Sequence, residues 1–265
     1  MREHTVTWTQ DEELLHALAA GSTAVHRVVE SAEQRPFASF LTTLAFRSAL
    51  ALLKDSPIRT DDALIGEVDF TLDGTWPATR TLCGSGRLNG PWDLGSMALL
   101  RVCQSFATAD GTLGAVTLGV YLRGQGGFGG PTPPRSARQL LPTYEPTRIP
   151  VSLAPNASLL YRLLGDRNPL HANPATGHPI LHGLLGIASV ERALEDELGA
   201  TLIGLNCRLN RPLVPDGTAE LSIWPQPGST PLRLSSLGVD AWTVASAKLL
   251  FLGGPTRSPA FASPP

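Results

Sequence analysis

The sequence predicts an α+β fold, in which two antiparallel sheets each wrap a long buried helix and join as a pseudo-dimer. Three observations predict it. Two helical runs, residues 36–53 and the first half of 179–198, are apolar on nearly every face, and a helix without a polar face must be surrounded by other elements. Each is followed by four strand-like runs bounded by Gly, Pro, Asp or Asn, which supply antiparallel pairings to surround it. The order short strand, short helix, long helix, four strands also occurs twice, the mark of an internal duplication.

Taken in order, residues 5–8 read as a short strand. Gln10 to Ala20 read as a short amphipathic helix with acids in its first turn, where the helix dipole favours them, and Gly21 stops it. A polar stretch leads to the apolar helix 36–53 and to strands at 65–73, 78–88, 97–107 and 113–123. Alternation is clear in Glu67-Val-Asp-Phe-Thr-Leu72 and Val116-Thr-Leu-Gly-Val-Tyr121. This first repeat, 1–130, closes on Arg123-Gly-Gln-Gly-Gly-Phe-Gly-Gly130, and the proline-rich stretch 131–146 reads as a linker. The second repeat, 147–252, offers a strand at 148–153, a helix at 157–164 stopped by Gly165, and a long helix from Pro179 to Leu198 stopped by Gly199. Strands at 201–210, 217–224, 231–238 and 241–252 follow, and the Pro/Ser/Gly-rich tail 253–265 is expected to be flexible. A helix held in a curved sheet is a hot-dog, so the expected architecture is a double hot-dog whose joined sheets hide edges that would invite aggregation.

Composition narrows the function. Hydrophobic content of 42% against 17% charge suits a sizeable core and a weakly charged surface. The net charge of −2, without a basic run, gives no electrostatic reason to expect nucleic acid. Cys83, Cys103 and Cys207 are few, odd in number and without metal spacing, so they read as reduced thiols rather than a disulfide framework. The N-terminal residues lack an apolar signal core and no run reaches membrane-spanning length. The expectation is a cytoplasmic protein without a membrane partner.

Potential chemistry concentrates between Tyr161 and Gly183. Asp166 and His171 are five residues apart across a Pro-containing turn, so they need not diverge as on opposite helix faces. A converging carboxylate and imidazole can hold one water, the aspartate accepting its proton while the histidine orients it and passes a proton back. The Asn168 amide, both donor and acceptor, could fix the water or the aspartate. Gly183 falls in the first turn of the long helix, with Pro179 near its start. Unpaired N–H groups there offer positive potential to a developing oxyanion, and a residue without a side chain lets a carbonyl approach closely. Each residue has a plainer reading. Asp166-Arg-Asn-Pro169 is common turn chemistry, His182 could be a structural histidine, and Gly183 and Gly186 could simply permit tight packing. The glycine run 124–130 follows a strand but lacks the Gly-Lys-Ser/Thr of a phosphate loop. No Gly-x-Ser-x-Gly elbow supports a serine hydrolase.

Tyr161-Arg-Leu-Leu-Gly-Asp-Arg-Asn-Pro-Leu-His171, followed by Pro179-Ile-Leu-His-Gly183, resembles the hydratase motif of MaoC-like, (R)-specific enoyl-CoA hydratases of the double hot-dog type, a module also found in peroxisomal multifunctional enzymes. The likeness is strong over about 157–215 and thin over 1–110; Arg123 to Gly130 resembles the glycine-rich end of that family's first repeat. The resemblance implies reversible syn hydration of a trans-2-enoyl thioester to a (3R)-3-hydroxyacyl thioester, as a lyase of fatty acid or polyketide metabolism. It implies Asp166 and His171 as the catalytic pair, Asn168 in support and the Gly183 N–H as oxyanion donor. His182, His178, Gly126, Gly127 and Phe128 are expected on the substrate-binding side. No metal or redox cofactor is implied, because CoA or a carrier-protein pantetheine arrives as part of the substrate. Gly21-Ser22 stands where the second repeat has Gly165-Asp166, and His26 has no acid at the matching offset, so one site per chain is expected and His26 reads as a surface or loop residue.

Two departures bear on substrate identity. The segment between His171 and His182 is shorter than is usual in the family, with only Ala172 to His178 before the Pro179 block. The first repeat also offers Ile65-Gly66-Glu67 where the family has His-Gly-Glu. Alternatives are a carrier-protein-dependent dehydratase or tailoring enzyme of polyketide-like biosynthesis, a non-catalytic acyl-thioester binder, and a hot-dog thioesterase. Homodimerisation beyond the internal pseudo-dimer stays open.

Overall fold

A capping box fixes the first helix: the Thr9 hydroxyl accepts the Glu12 amide hydrogen while the Glu12 carboxylate accepts that of Thr9. The computed structural model describes residues 2–31, 34–54, 58–59, 63–134, 141–173, 179–226, 229–236 and 239–251. The expected tail 253–265, His178 and residues 135–140 of the expected linker lie outside them. The chain runs β1 (Arg2–Thr7), α1 (Gln10–Ala19), α2 (Val25–Val28), α3 (Phe40–Lys54), β2 (Ala63–Leu72), β3 (Thr81–Asp93), β4 (Met97–Thr108) and β5 (Gly111–Arg123). It continues with β6 (Thr147–Ser152), α4 (Ala157–Tyr161), α5 (Gly183–Leu198), β7 (Ala200–Leu209), β8 (Thr218–Ile223), β9 (Leu232–Ser236) and β10 (Val239–Phe251).

Three departures from the sequence reading concern helices, the first being that α3 begins at Phe40 and not at residue 36. The single turn α2 was read as polar loop. The long helix α5 starts at Gly183 rather than Pro179, because His182 keeps an extended backbone (φ −60°, ψ 134°). Pro179 therefore lies ahead of the helix and does not occupy its first turn.

The ten strands form one continuous sheet, with antiparallel pairings, in the order β1-β3-β4-β5-β2-β7-β10-β9-β8-β6. Read inward from either edge, the strands follow the same chain order within their half: first, third, fourth, fifth, second. The halves meet where Glu67–Thr71 of β2 pair with Gly204–Arg208 of β7. Helix α5 packs on β6 and β7, α3 packs on β1, β2 and β5, and the two helices touch. Phe40, Leu41 and Leu44 of α3 and Leu185, Ile187 and Val190 of α5 are fully buried, each contributing roughly 1.5–3 kcal/mol. All-round burial does not extend along α3: beyond Ala45 its side chains Phe46, Leu50 and Leu53 line a cavity, and Leu50 is 40% exposed.

Two acids of α5 tie the halves together. Glu191 is fully buried and accepts the amide hydrogens of Ala38 (2.9 Å) and Ser39 (2.8 Å), ahead of α3, together with the Thr201 hydroxyl. Burial pushes its pKa up against the pull of these donors. One turn later Glu195 takes a forked ion pair from the buried Arg27, which also donates to the carbonyls of Arg35 and Pro36. His26, placed on α2 at the surface, shares Glu195 at 2.8 Å. The stretch that answers to Gly165–His182 by order of elements is thus filled with ion pairs.

Candidate active site

Gly165 ends the short helical segment after α4 with φ 124°, a backbone open to glycine, and turns the chain toward α5. Two side-chain turns then build the site. Asp166 Oδ1 accepts the Asn168 amide hydrogen (3.2 Å), and Asn168 Oδ1 accepts that of Leu170 (3.1 Å), capping the 3-10 turn Pro169–His171. The turn reading of these residues is therefore correct, and it serves to aim other atoms. Asp166 Oδ2 faces His171 Nε2 at 3.9 Å. His171 Nδ1 lies 3.0 Å from the Ile180 carbonyl oxygen; a carbonyl only accepts, so Nδ1 carries a hydrogen and Nε2 is the working atom.

His182 lies beneath. It caps α5, stacks on His171 with ring centres 3.7 Å apart, and donates from Nε2 to the Asp166 carbonyl at 3.3 Å. Tyr161 packs against its other side at 4.9 Å and is held by Thr43 of α3 through a 2.8 Å hydroxyl contact. Burial, reinforced by the neighbouring His171, lowers the His182 pKa to about 3, so the ring is neutral. Burial raises the Asp166 pKa above its ordinary value, while His171 and the Asn168 amide pull it down.

These groups open on a cavity of about 790 Å³ bounded by α3, the start of β2, the end of β5 and the first turn of α5. Asp166, Asn168, His171, His182 and Gly183 all line it. A side chain at Gly183 would collide with Leu209, and as the first residue of α5 its N–H lacks an intrahelical partner. Asp166, His171 and His182 also present one ligand atom each within 4.8 Å of one another. The stacked imidazoles, 3.7 Å apart and tilted by only 24°, keep their lone pairs in nearly parallel planes, a poor arrangement for both to meet one ion at the ~2.0–2.1 Å that zinc requires.

Gly126, Gly127 and Phe128 are not brought to this cavity. Their loop folds around Asp93 at the β3–β4 hairpin, whose carboxylate accepts the amide hydrogens of Gly95, Gly127 and Gly129 at 2.7–2.9 Å. Those backbone donors, Gly127 foremost, hold the Asp93 carboxyl below its ordinary range. Sequence reasoning missed the Ile180 carbonyl, Thr43, and Leu209. Tyr161 and Ile180 stood inside the motif, but nothing in it indicated that Tyr161 has a partner 118 residues away.

No family model matches the chain. It is 40% identical over 145 residues to 3-hydroxyacyl-thioester dehydratase Y of Mycobacterium tuberculosis, covering 49% of this chain and 50% of the relative. It is 34% identical over 150 residues to enoyl-CoA hydratase ChsH3 of the same organism, covering 52% of each. The chain thus spans about half the length of these curated relatives in the matched region. In fold it is similar to a MaoC-like dehydratase from Phytophthora capsici, with a TM-score of 0.79, 21% identity and coverage of 95% of this chain and 94% of that one. In sequence the chain is thus similar to a thioester dehydratase and an enoyl-CoA hydratase over about half their length, and in fold to a MaoC-like dehydratase.

Proposed function

We propose that the protein hydrates trans-2-enoyl thioesters, or in reverse dehydrates (3R)-3-hydroxyacyl thioesters, at one site in its second half. The facing of Asp166 Oδ2 and His171 Nε2 at 3.9 Å carries the reading, since a water between them touches a base and an acid at once. Asp166, as carboxylate, takes a proton from the water as its oxygen adds to C3, and His171, protonated at Nε2, gives the C2 proton on the same face. The hydrogen bond to Ile180 fixes the ring so that Nε2 presents that proton. Asp166 then returns its proton to His171 through the next water, which resets the pair. The Gly183 N–H binds the thioester oxygen and stabilises the enolate charge that builds in the transition state. Asn168 acts by holding the turn on which both catalytic groups stand.

The repeated strand order supports the finer architecture of two hot-dog units, 1–130 and 147–252 joined by 131–146, each sheet half enclosing its own long helix. CoA and carrier-protein thioesters share the pantetheine arm, and both belong to the proposal, as does the cytoplasmic setting expected from the cysteines. Incubation with crotonyl-CoA and longer 2-enoyl-CoAs, following loss of the enoyl thioester absorbance, tests the reaction. Release of free CoA without hydration would point instead to a thioesterase, and tight binding without turnover to a carrier of acyl thioesters.

A further inference from the structure

The cavity lies where the two central strands part. The β2–β7 ladder pairs Glu67 with Arg208 and stops there. Continued, it would set Gly66 opposite Leu209 and Ile65 opposite Asn210. Instead the backbone beyond Leu209 turns to its other neighbour, with the amides of Asn210 and Arg211 both donating to the Ala241 carbonyl at 3.0 Å. Strand β2 does not stop: it stays paired with β5 back to Ala63, through a bulge between Ile65 and Glu67. Residues 63–66 therefore have one edge in the sheet and, among the described residues, no strand on the other, which faces the cavity whose walls include Leu64, Ile65 and Gly66 on one side and Leu209 on the other.

A strand edge without a neighbour presents backbone N–H and C=O groups, which are costly to leave unmade and bind an extended amide-bearing chain as an added strand. One of these groups is aimed already. The Ile65 carbonyl oxygen lies 4.0 Å from where a Gly183 Cβ would stand, beside the N–H assigned to the thioester oxygen. In a thioester of an aminoethanethiol arm, two methylene groups separate the sulfur from the first amide nitrogen. With the thioester carbonyl at Gly183, that amide reaches the β2 edge.

We infer that the open edge Leu64–Gly66 of β2 is the docking strand for an extended, amide-bearing thiol arm, with the Ile65 carbonyl accepting the hydrogen of the arm's first amide. This rests on the thioester reading above and assigns the arm, rather than the acyl chain, to the seam between the halves. The bulge shapes the site, because it leaves Gly66 without a partner in β5 between the pairs Ile65–Val120 and Glu67–Gly119. Tyr121 closes the outer side: its ring lies so close to Gly66 that any side chain there would collide with it.

Binding of saturated thioesters, which cannot be hydrated, tests this separately from catalysis. S-decanoyl-N-acetylcysteamine is compared by calorimetry with its oxygen isostere, in which an ester oxygen replaces the amide N–H. The isostere is expected to bind at least about tenfold more weakly, and the amide compound to slow hydrogen exchange at Leu64–Gly66. Equal affinities, unchanged exchange at saturation, or no binding by either compound would overturn the inference. Binding with the expected amide preference, but no hydration of any enoyl thioester, would sink the proposed reaction and leave the docking strand standing.

Discussion

Asp166 divides its two oxygens between structure and chemistry: Oδ1 accepts the Asn168 amide hydrogen at 3.2 Å while Oδ2 faces His171 Nε2 at 3.9 Å. Asp166→Asn can keep the first contact through its amide oxygen and loses the base. The expected outcome is a folded protein with hydration slowed about 10²–10⁴-fold, read from the decay of enoyl absorbance. Activity that matches the wild type would remove Asp166 from the mechanism.

The acid side of the pH profile follows from the same residue. Burial raises the Asp166 pKa, so kcat/KM should fall with decreasing pH at a value above that of an ordinary carboxylate. The stability consequence runs the other way. A carboxyl with a raised folded pKa stabilises fully below its unfolded pKa, and that contribution is lost as pH rises through the folded value. Thermal melts across pH should therefore show Asp166→Asn gaining on the wild type above that point.

Gly183→Ala separates the oxyanion contact from folding. The added methyl meets the far end of the Leu209 side chain, which can shift, so Tm should change little. The N–H loses its close approach to a carbonyl, and kcat should drop about 10²–10³-fold. A large loss of Tm instead would assign Gly183 to packing.

His16 is expected to weaken the fold in acid. It is fully buried among Phe37, Phe40 and Tyr161, neither ring nitrogen has a partner, and burial followed by the nearby Arg27 lowers its pKa to about 3. A depressed histidine contributes stability that is complete above about 6.5 and is lost as pH falls toward 3, at about 1.4 kcal/mol per pH unit. His182 adds a second such loss over the same window. His16→Phe should flatten the fall in stability measured by denaturant titration from pH 7 to 4. An unchanged slope would mean that water reaches the ring.

Glu191→Gln tests the tie between the long helices. Both carboxylate oxygens accept, one from Ala38 and Thr201 and the other from Ser39. Glutamine offers one acceptor and turns an NH₂ toward a donor, so denaturant unfolding should show a loss of about 1–3 kcal/mol.

The candidate catalytic turn was legible because its chemistry is local: Gly165, Asp166, Asn168 and Pro169 determine one another's backbone within a few residues, and His171 is aimed by the cap they make. The strand runs were legible in outline for a similar reason, since alternation and turn residues mark each one, whereas their order in the sheet was not. What stayed hidden was set at long range. The carboxylate that the glycine run 124–130 surrounds, Asp93, lies 34 residues before Gly127, outside any local pattern. The start of α5 was read four residues early because Pro179 commonly opens helices, whereas the Leu181 amide is taken by the Leu213 carbonyl, which holds the chain extended up to Gly183. No sequence pattern indicated that β2 and β7 would part beyond Glu67 and Arg208.

Helix α5 offers an amide in its first turn at Gly183 and, two turns on, sends Glu191 to the backbone ahead of α3. Replacing residues 1–130 with a second copy of 147–252 would accordingly not double the activity. Each copy would carry a buried Glu191 carboxyl to the segment preceding the other's Gly183, filling the ground beside both proposed oxyanion seats. On the proposed single-site reading, building a second site would begin with altering the first.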